Sequence, residues 1–330
     1  MTERRYDPIT NEWVSFATER QHRSFLPSRV DCPLCPTRPG ADPTEVDRPA
    51  YEVVVFDNRS PGFMSEPPAP DVAGSDLYPV EPSSGRCEVV VFSDQHDATL
   101  ADLGGRRIRL LVDVWADRYA ILGAEPEVRY VLVFENKGEV IGVTLHHPHG
   151  QIYAYPEVPP KPLAQLAAAH RYRQRTGRHV WADVVADVRR DGRRLVAEGS
   201  HFVVQVPFAS RFPYEVQIVA KTHLPSLLAL DTAGRDDLAR LLDLTVRAYD
   251  GLFGFSLPYV MAIYARPTSA TPPWGGDWDD VSWLWVNFLP PHREATKLKY
   301  LAGSELAGGA FIGDVAPEDA AARLRAALPR

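Results

Sequence analysis

Two histidines stand two residues apart, His147 and His149, in the run His147-Pro148-His149-Gly150-Gln151. A neutral imidazole can attack an electrophile or ligate a metal near neutral pH. In extended backbone alternate side chains share a face, so the spacing predicts that His147, His149 and Gln151 project together. Pro148 fixes φ and removes a backbone donor, while Gly150 lets backbone or substrate come close. An imidazole with an amide beside it could attack a group whose oxygen the amide binds. Pairs of this spacing also occur as metal ligands or as exposed loop residues. The glycine, the glutamine and the apolar Ile152-Tyr153 in phase with them favour a built site.

A second constellation is Cys32-x-x-Cys35. Two soft thiolates on one tight knuckle, joined by two imidazoles, make a set suited to tetrahedral zinc. His96, at a predicted strand-to-helix turn, and His147 are the candidate nitrogen donors. A redox pair or a labile disulfide is the other reading. A thioredoxin-like site would open a helix in a βαβ unit, and Pro33 and Pro36 argue against that. Cys87 falls within a predicted strand and reads as core.

The elements that must hold these groups can be read from periodicity. YEVVVF (51–56) and CEVVVF (87–92) are β-branched and bounded by turn formers, so each predicts a strand. Between them, 61–86 is proline-rich and predicts a long irregular connection. Leu100 to Gly123 has the spacing of an amphipathic helix. Val128–Phe134 is a predicted strand and 142–155 an extended stretch carrying the histidines. Pro156 to Pro162 marks the candidate boundary between halves, followed by a helical composition over 164–188. Strands are predicted at 201–206, 214–220, 259–264 and 282–289, a helix within 224–253, and a closing helix at 318–328. Residues 1–30 carry charge without a helical period. The order strand, loop, strand, histidine, helix, strand, strand occurs twice, which predicts a duplicated α+β unit.

The 330 residues are 45% hydrophobic and 24% charged, with a net charge of −7. Such a composition suits a globular chain with one large or two modest domains. The acidic balance argues against nucleic acid and anionic membrane as partners. No apolar run approaches the roughly 18 residues of a membrane span, and MTERRYDPIT has no apolar h-region. Three cysteines make no disulfide framework. The reading predicts a cytoplasmic protein.

HPHGQIY (147–153) resembles the active-site signature of the galactose-1-phosphate uridylyltransferases, the transferase branch of the histidine-triad superfamily, and FENKG (134–138) is a second match. The resemblance runs from about Arg20 to the C-terminus. It implies an α+β, histidine-triad-like fold of two tandem similar units, with antiparallel sheets flanked by helices. Residues 1–160 would carry the metal site and the motif, and 161–330 a degenerate copy. Cys32, Cys35, His96 and His147 match the ligands of one structural zinc. His149 would then be free to attack the α-phosphorus of UDP-glucose, leaving a uridylyl-histidine that galactose-1-phosphate resolves. Gln151, standing where hydrolytic relatives have a third histidine, would bond a phosphoryl oxygen. Arg20 and Arg23 match phosphate contacts, Phe56 and Asn58 the uridine pocket, and Asn136 and Thr144 groups lining the diphosphate. Lys299, Tyr300 and Glu305 match a segment contacting the hexose phosphate. The family also implies a homodimer acting on a UDP-sugar and a hexose-1-phosphate.

Departures from the family pattern are visible as well. Tyr264, Trp285 and Asn287 stand where some members place three histidines of a second metal site, which predicts that this site is absent. Ser304 and Phe311 stand where a Tyr and a sugar-binding Gln are expected, so the sugar stays open. A nucleotide-sugar phosphorylase with another base or sugar, and a non-catalytic nucleotide-sugar-binding module, are the alternatives.

Overall fold

The computed structural model describes residues 2–22, 25–40, 42–269 and 271–329. The strands are β1 (Thr2–Asp7), β2 (Glu12–Ala17), β3 (Val54–Asp57), β4 (Val80–Pro82), β5 (Arg86–Val91), β6 (Tyr130–Lys137), β7 (His149–Tyr155), β8 (Leu195–Glu198), β9 (Phe202–Gln205), β10 (Val216–Ala220), β11 (Tyr259–Tyr264), β12 (Trp285–Leu289), β13 (His292–Glu294) and β14 (Lys297–Leu298). The α-helices are α1 (Leu100–Gly123), α2 (Pro160–Thr176), α3 (Val180–Asp191), α4 (Thr232–Phe253), α5 (Gly303–Gly308) and α6 (Pro317–Ala326).

One nine-stranded antiparallel sheet organises the chain, in the order β3-β5-β7-β6-β11-β12-β10-β9-β8. The first half contributes its strands in the order first, second, fourth, third, and the second half in the mirrored order, with β8 added at the far edge. The duplication read from sequence therefore closes on itself. The third strands, β6 and β11, pair antiparallel at the centre, Phe134 opposite Ala262. The strands of both halves form one antiparallel sheet.

Cross-strand register explains which face is which, because residues directly opposite each other point to the same side. One row runs Ile152, Val133, Ile263, Val286, Ile218, Val204. Each of these is at most 2% exposed. This is the apolar face, and α1 and α4 bury their own apolar sides in the same core. The two helices also clasp each other through Arg109–Asp236 at 2.6 Å and Arg235–Asp113 at 2.7 Å. The neighbouring row runs Phe56, Val89, Gln151, Phe134, Ala262, Asn287, Gln217, Gln205. Four side-chain amides on one face do not belong to a plain core. That face is covered differently in the two halves. The cysteine knuckle packs on Val89 and Val91 in the first, and α3 brings Trp181 onto Trp285, 5.0 Å between ring centroids, in the second.

The structure corrects several expectations. The charged N-terminus is a hairpin: β1 pairs with β2 and also with β4, so the proline-rich connection carries a strand. Buried Glu3 pins that connection by accepting from the Asp71 backbone N–H at 2.7 Å. The extended stretch at 142–155 is a strand only from His149, since a 3-10 turn at Glu139–Ile141 ends in a left-handed Gly142. Pro160 opens α2, and Gly177 at φ 70° separates α2 from α3. Strand β8 and helix α5 have no counterpart in the sequence reading. Among the described residues no helix is long and apolar enough to cross a membrane.

Candidate active site and metal centre

Strand β7 begins at the first residue after the His147-Pro148 pair, and this decides the geometry. His149 and Gln151 lie on the amide-bearing face and line one hollow of about 240 Å³. Gly150 points to the opposite face, where a Cβ would come within 2.8 Å of Phe92 Cζ and 2.9 Å of the Phe134 carbonyl oxygen. No side chain fits there, so a glycine between the two functional residues is a packing requirement. His147 precedes the strand and turns toward the cysteines. The shared face expected for three residues holds for two.

The hydrogen bonds set both tautomers. His149 Nδ1 lies 2.8 Å from the His147 carbonyl oxygen, which can only accept, so Nδ1 carries the proton and the Nε2 lone pair is the nucleophilic one. Burial holds this imidazole below its ordinary pKa, opposed by that backbone bond. It is therefore neutral at pH 7. His147 Nε2 lies 2.7 Å from the Ser93 carbonyl oxygen, so Nε2 is protonated and the Nδ1 lone pair faces the sulfurs. Such a bond on the far ring nitrogen is the usual way a metal-ligating histidine is oriented. The Tyr51 hydroxyl donates to the Leu34 carbonyl at 2.7 Å and lies 3.0 Å from His147 Nε2.

Cys32, Cys35, His96 and His147 converge, with all four ligand atoms within 4.8 Å of one another. Cys35 Sγ is 3.4 Å from His96 Nδ1 and 3.5 Å from His147 Nδ1, and Cys32 Sγ is 3.9 Å from His147 Nδ1. Tetrahedral zinc with Zn–S of about 2.3 Å and Zn–N of about 2.0 Å requires S···N separations of about 3.5 Å. The donor set fits a tetrahedral thiophilic ion. Burial and the adjacent Cys32 push the Cys35 thiol up to about 11, so a thiolate pair here calls for a bound cation.

Phe56, Asn58 and Thr144 line the same hollow as His149 and Gln151. Asn58 Nδ2 and the Tyr153 hydroxyl both donate to Gln151 Oε1, at 3.5 and 3.3 Å. With its carbonyl end occupied, Gln151 presents its NH₂ as a donor. Asn136 lines a smaller hollow that also reaches His149. Arg20 is exposed, on a 3-10 turn beside Gly62. Arg23 lies outside the described residues. Lys299, Tyr300 and Glu305 line neither hollow. Lys299 Nζ is buried in ion pairs with Glu305 at 3.2 Å and Asp314 at 3.6 Å, whereas Tyr300 is 76% exposed.

Sequence reasoning missed part of the lining. Leu34, between the two cysteines, forms a wall, and a Glu45–Arg59 ion pair stands at the hollow. Leu34 could have been found, since a residue inside the knuckle must face what the knuckle covers. The ion pair joins two loops and leaves no local signal.

Comparison with known proteins agrees with this arrangement. Residues 1–159 match the family model for the galactose-1-phosphate uridyl transferase N-terminal domain, and residues 165–330 the model for its C-terminal domain. The chain is 35% identical over 328 residues to the galactose-1-phosphate uridylyltransferase of Thermotoga maritima, covering 98% of each. It is 37% identical to that of Streptomyces lividans, covering 98% of this chain and 86% of the relative. A solved uridylyltransferase structure superposes with a TM-score of 0.85 at 34% identity, over 98% of both chains. The chain belongs to the galactose-1-phosphate uridyl transferase family.

Proposed function

We propose that this protein moves a uridylyl group between sugar phosphates through a covalent histidine intermediate. The observation that carries the reading is the locked His149: Nδ1–H on a carbonyl at 2.8 Å, the ring neutral, and an amide donor beside it in the same hollow. In the first step the Nε2 lone pair attacks the α-phosphorus of UDP-glucose. An N–P bond forms, the bond from phosphorus to the bridging oxygen breaks, and glucose-1-phosphate leaves with the electron pair. In the second, a phosphate oxygen of galactose-1-phosphate attacks the same phosphorus, the N–P bond breaks, and UDP-galactose leaves with His149 neutral again. Splitting one displacement into two in-line steps suits a nitrogen that is both good nucleophile and good leaving group.

Each neighbour has a task in this scheme. The His147 carbonyl stabilises the positive ring of the uridylyl-imidazole through Nδ1–H. Gln151 donates to a phosphoryl oxygen where charge accumulates. As an amide it is no general acid, which disfavours water as the acceptor. Phe56 offers its ring and Asn58 its amide to the uracil, while Asn136 and Thr144 reach the diphosphate. Arg20 and Arg23 are assigned to phosphate. Cys32, Cys35, His96 and His147 would hold one structural zinc, which when bound ties the knuckle to the start of β7. Lys299, Tyr300 and Glu305 line neither hollow beside His149, and a homodimer in which a second copy presents this segment would give them a part in hexose-phosphate binding. Exposed Tyr300, Leu301, Leu306 and Ile312 offer apolar surface for such a homodimer.

Exchange of labelled glucose-1-phosphate into UDP-glucose, with no galactose-1-phosphate present, isolates the covalent step. Exchange is expected in the natural protein, together with a mass gain of one UMP per chain. His149→Ala should lose both while still binding UDP-glucose. Binding without exchange in the natural protein would overturn the proposal.

A further inference from the structure

The amide row does not stop at the active site. It continues through Asn287, Gln217 and Gln205 in the second half, where it ends beneath α3. A cavity of about 390 Å³ opens there, floored by Gln205 and Gln217 and walled by Trp181, Val184, Pro207 and Phe208. Under the mirrored strand order this cavity lies over β9 and β10, as the His149 hollow lies over β3 and β5. The duplicated fold has thus left a hollow on the same sheet face in both halves. In the first the knuckle shapes it, and in the second α3 does.

Its chemistry is that of a ligand site rather than a packing void. Gln205 is 1% exposed and spends its Nε2–H on Gln217 Oε1 at 3.0 Å. Its own Oε1 has no hydrogen-bond partner among the described residues. Buried amide oxygens left unpaired are costly and rare in a settled core. Around them the walls are aromatic and aliphatic, and Phe208 stands 77% exposed at the cavity with the Arg194 guanidinium 5.2 Å from its ring. Apolar walls with a few convergent polar groups are the pattern of small-molecule sites.

Charge narrows the ligand. The lining carries Asp183, Asp187 and a single cation, Arg194, which is already committed to Asp187 at 3.1 Å and to the Val206 carbonyl. Asp183 accepts from the Tyr172 hydroxyl at 2.6 Å. Asp183 also pairs with Arg178, and Asp187 with Arg190 as well as Arg194, so each guanidinium here is committed to a carboxylate and offers a phosphate no open partner. A flat, uncharged heterocycle fits: one face on aromatic rings, and an N–H edge toward Gln205 Oε1.

We propose that this second-half cavity, with Gln205 and Gln217 as its floor, binds the base of an uncharged nucleoside at a site separate from the His149 hollow. Equilibrium dialysis with labelled uridine, and separately with labelled adenosine, tests it on the full-length protein. At saturation at least one of the two should bind with one equivalent per chain that disappears in Gln205→Met. Val184→Trp, which fills the cavity without removing a polar group, should lose the same equivalent. Both variants should keep UDP-glucose exchange within about twofold, showing that they fold. Asn58→Ala should leave that equivalent in place and remove only binding at the first-half hollow. Loss of an equivalent in Asn58→Ala alone, with none lost in Gln205→Met or Val184→Trp, would overturn the second site and leave the first standing. Loss in the cavity variants alone would do the reverse.

Discussion

Glu135 offers a quantitative test of how the centre of the sheet is built. It lies on β6, opposite Met261 of β11, on the same face as Val133. It is 4% exposed and accepts from the Tyr259 hydroxyl at 3.0 Å. Burial raises its pKa from the ordinary 4.5 to about 7, against the opposing pull of Lys137 and the Tyr259 hydrogen bond. The folded protein therefore keeps this proton up to about pH 7, while the unfolded chain releases it near 4.5. Between those values the folded state binds more protons, so stability falls as pH rises. The gap from 4.5 to about 7, at about 1.4 kcal/mol per tenfold in proton affinity, amounts to about 3 kcal/mol. Glu135→Gln keeps an acceptor for Tyr259 but cannot ionise. Urea unfolding midpoints should match between variant and natural protein near pH 4.5. They should separate progressively above it, until the variant is the more stable by about 3 kcal/mol near pH 8. Two curves that stay parallel from pH 5 to 8 would refute the argument, because the buried carboxyl would then carry no linkage.

Three further substitutions probe the site. Gly150→Ala drives a Cβ against Phe92 and the Phe134 carbonyl; it should cost about 1–3 kcal/mol of stability and, by displacing His149 from Gln151, about 100-fold in exchange rate. Full activity in a stable Ala variant would show that β7 is more forgiving than its packing. Cys32→Ser should lower zinc content and melting temperature far more than turnover per folded molecule, measured by elemental analysis beside activity; undiminished metal means the ligand set is wrong. Tyr51→Phe removes the hydroxyl that lies 3.0 Å from His147 Nε2 and should weaken metal binding about tenfold in competition with a chelator, with no change expected in UDP-glucose affinity.

Much of this was legible before any coordinate. Helix α1 begins where predicted because Thr99, just before it, is paired with Asp102, whose carboxylate accepts the Thr99 N–H at 2.8 Å, and past a break at Gly104 its apolar positions keep the helical period. The histidines and cysteines were legible because their chemistry depends on short spacings. What escaped depends on partners far away in sequence. Nothing in TERRYD announces a strand, since its neighbours in the sheet come from residues 12–17 and 80–82. The joining of β6 to β11 was equally hidden, because a strand paired on both sides reads the same whichever strand lies next to it. The Ser93 carbonyl and the Tyr51 hydroxyl, which decide where His147 keeps its proton, stand at the ends of two predicted strands, and neither sequence shows that they meet His147.

The pairing of β6 with β11 has one more consequence. Each of these strands covers what would otherwise be a raw margin of the other half, a line of unmet backbone groups in the middle of the chain's most water-averse layer. The halves are therefore mutual lids, and a lesion that loosens one strips the shelter from the other. The nucleophile stands on β7, one strand away from that junction, and shares its fate.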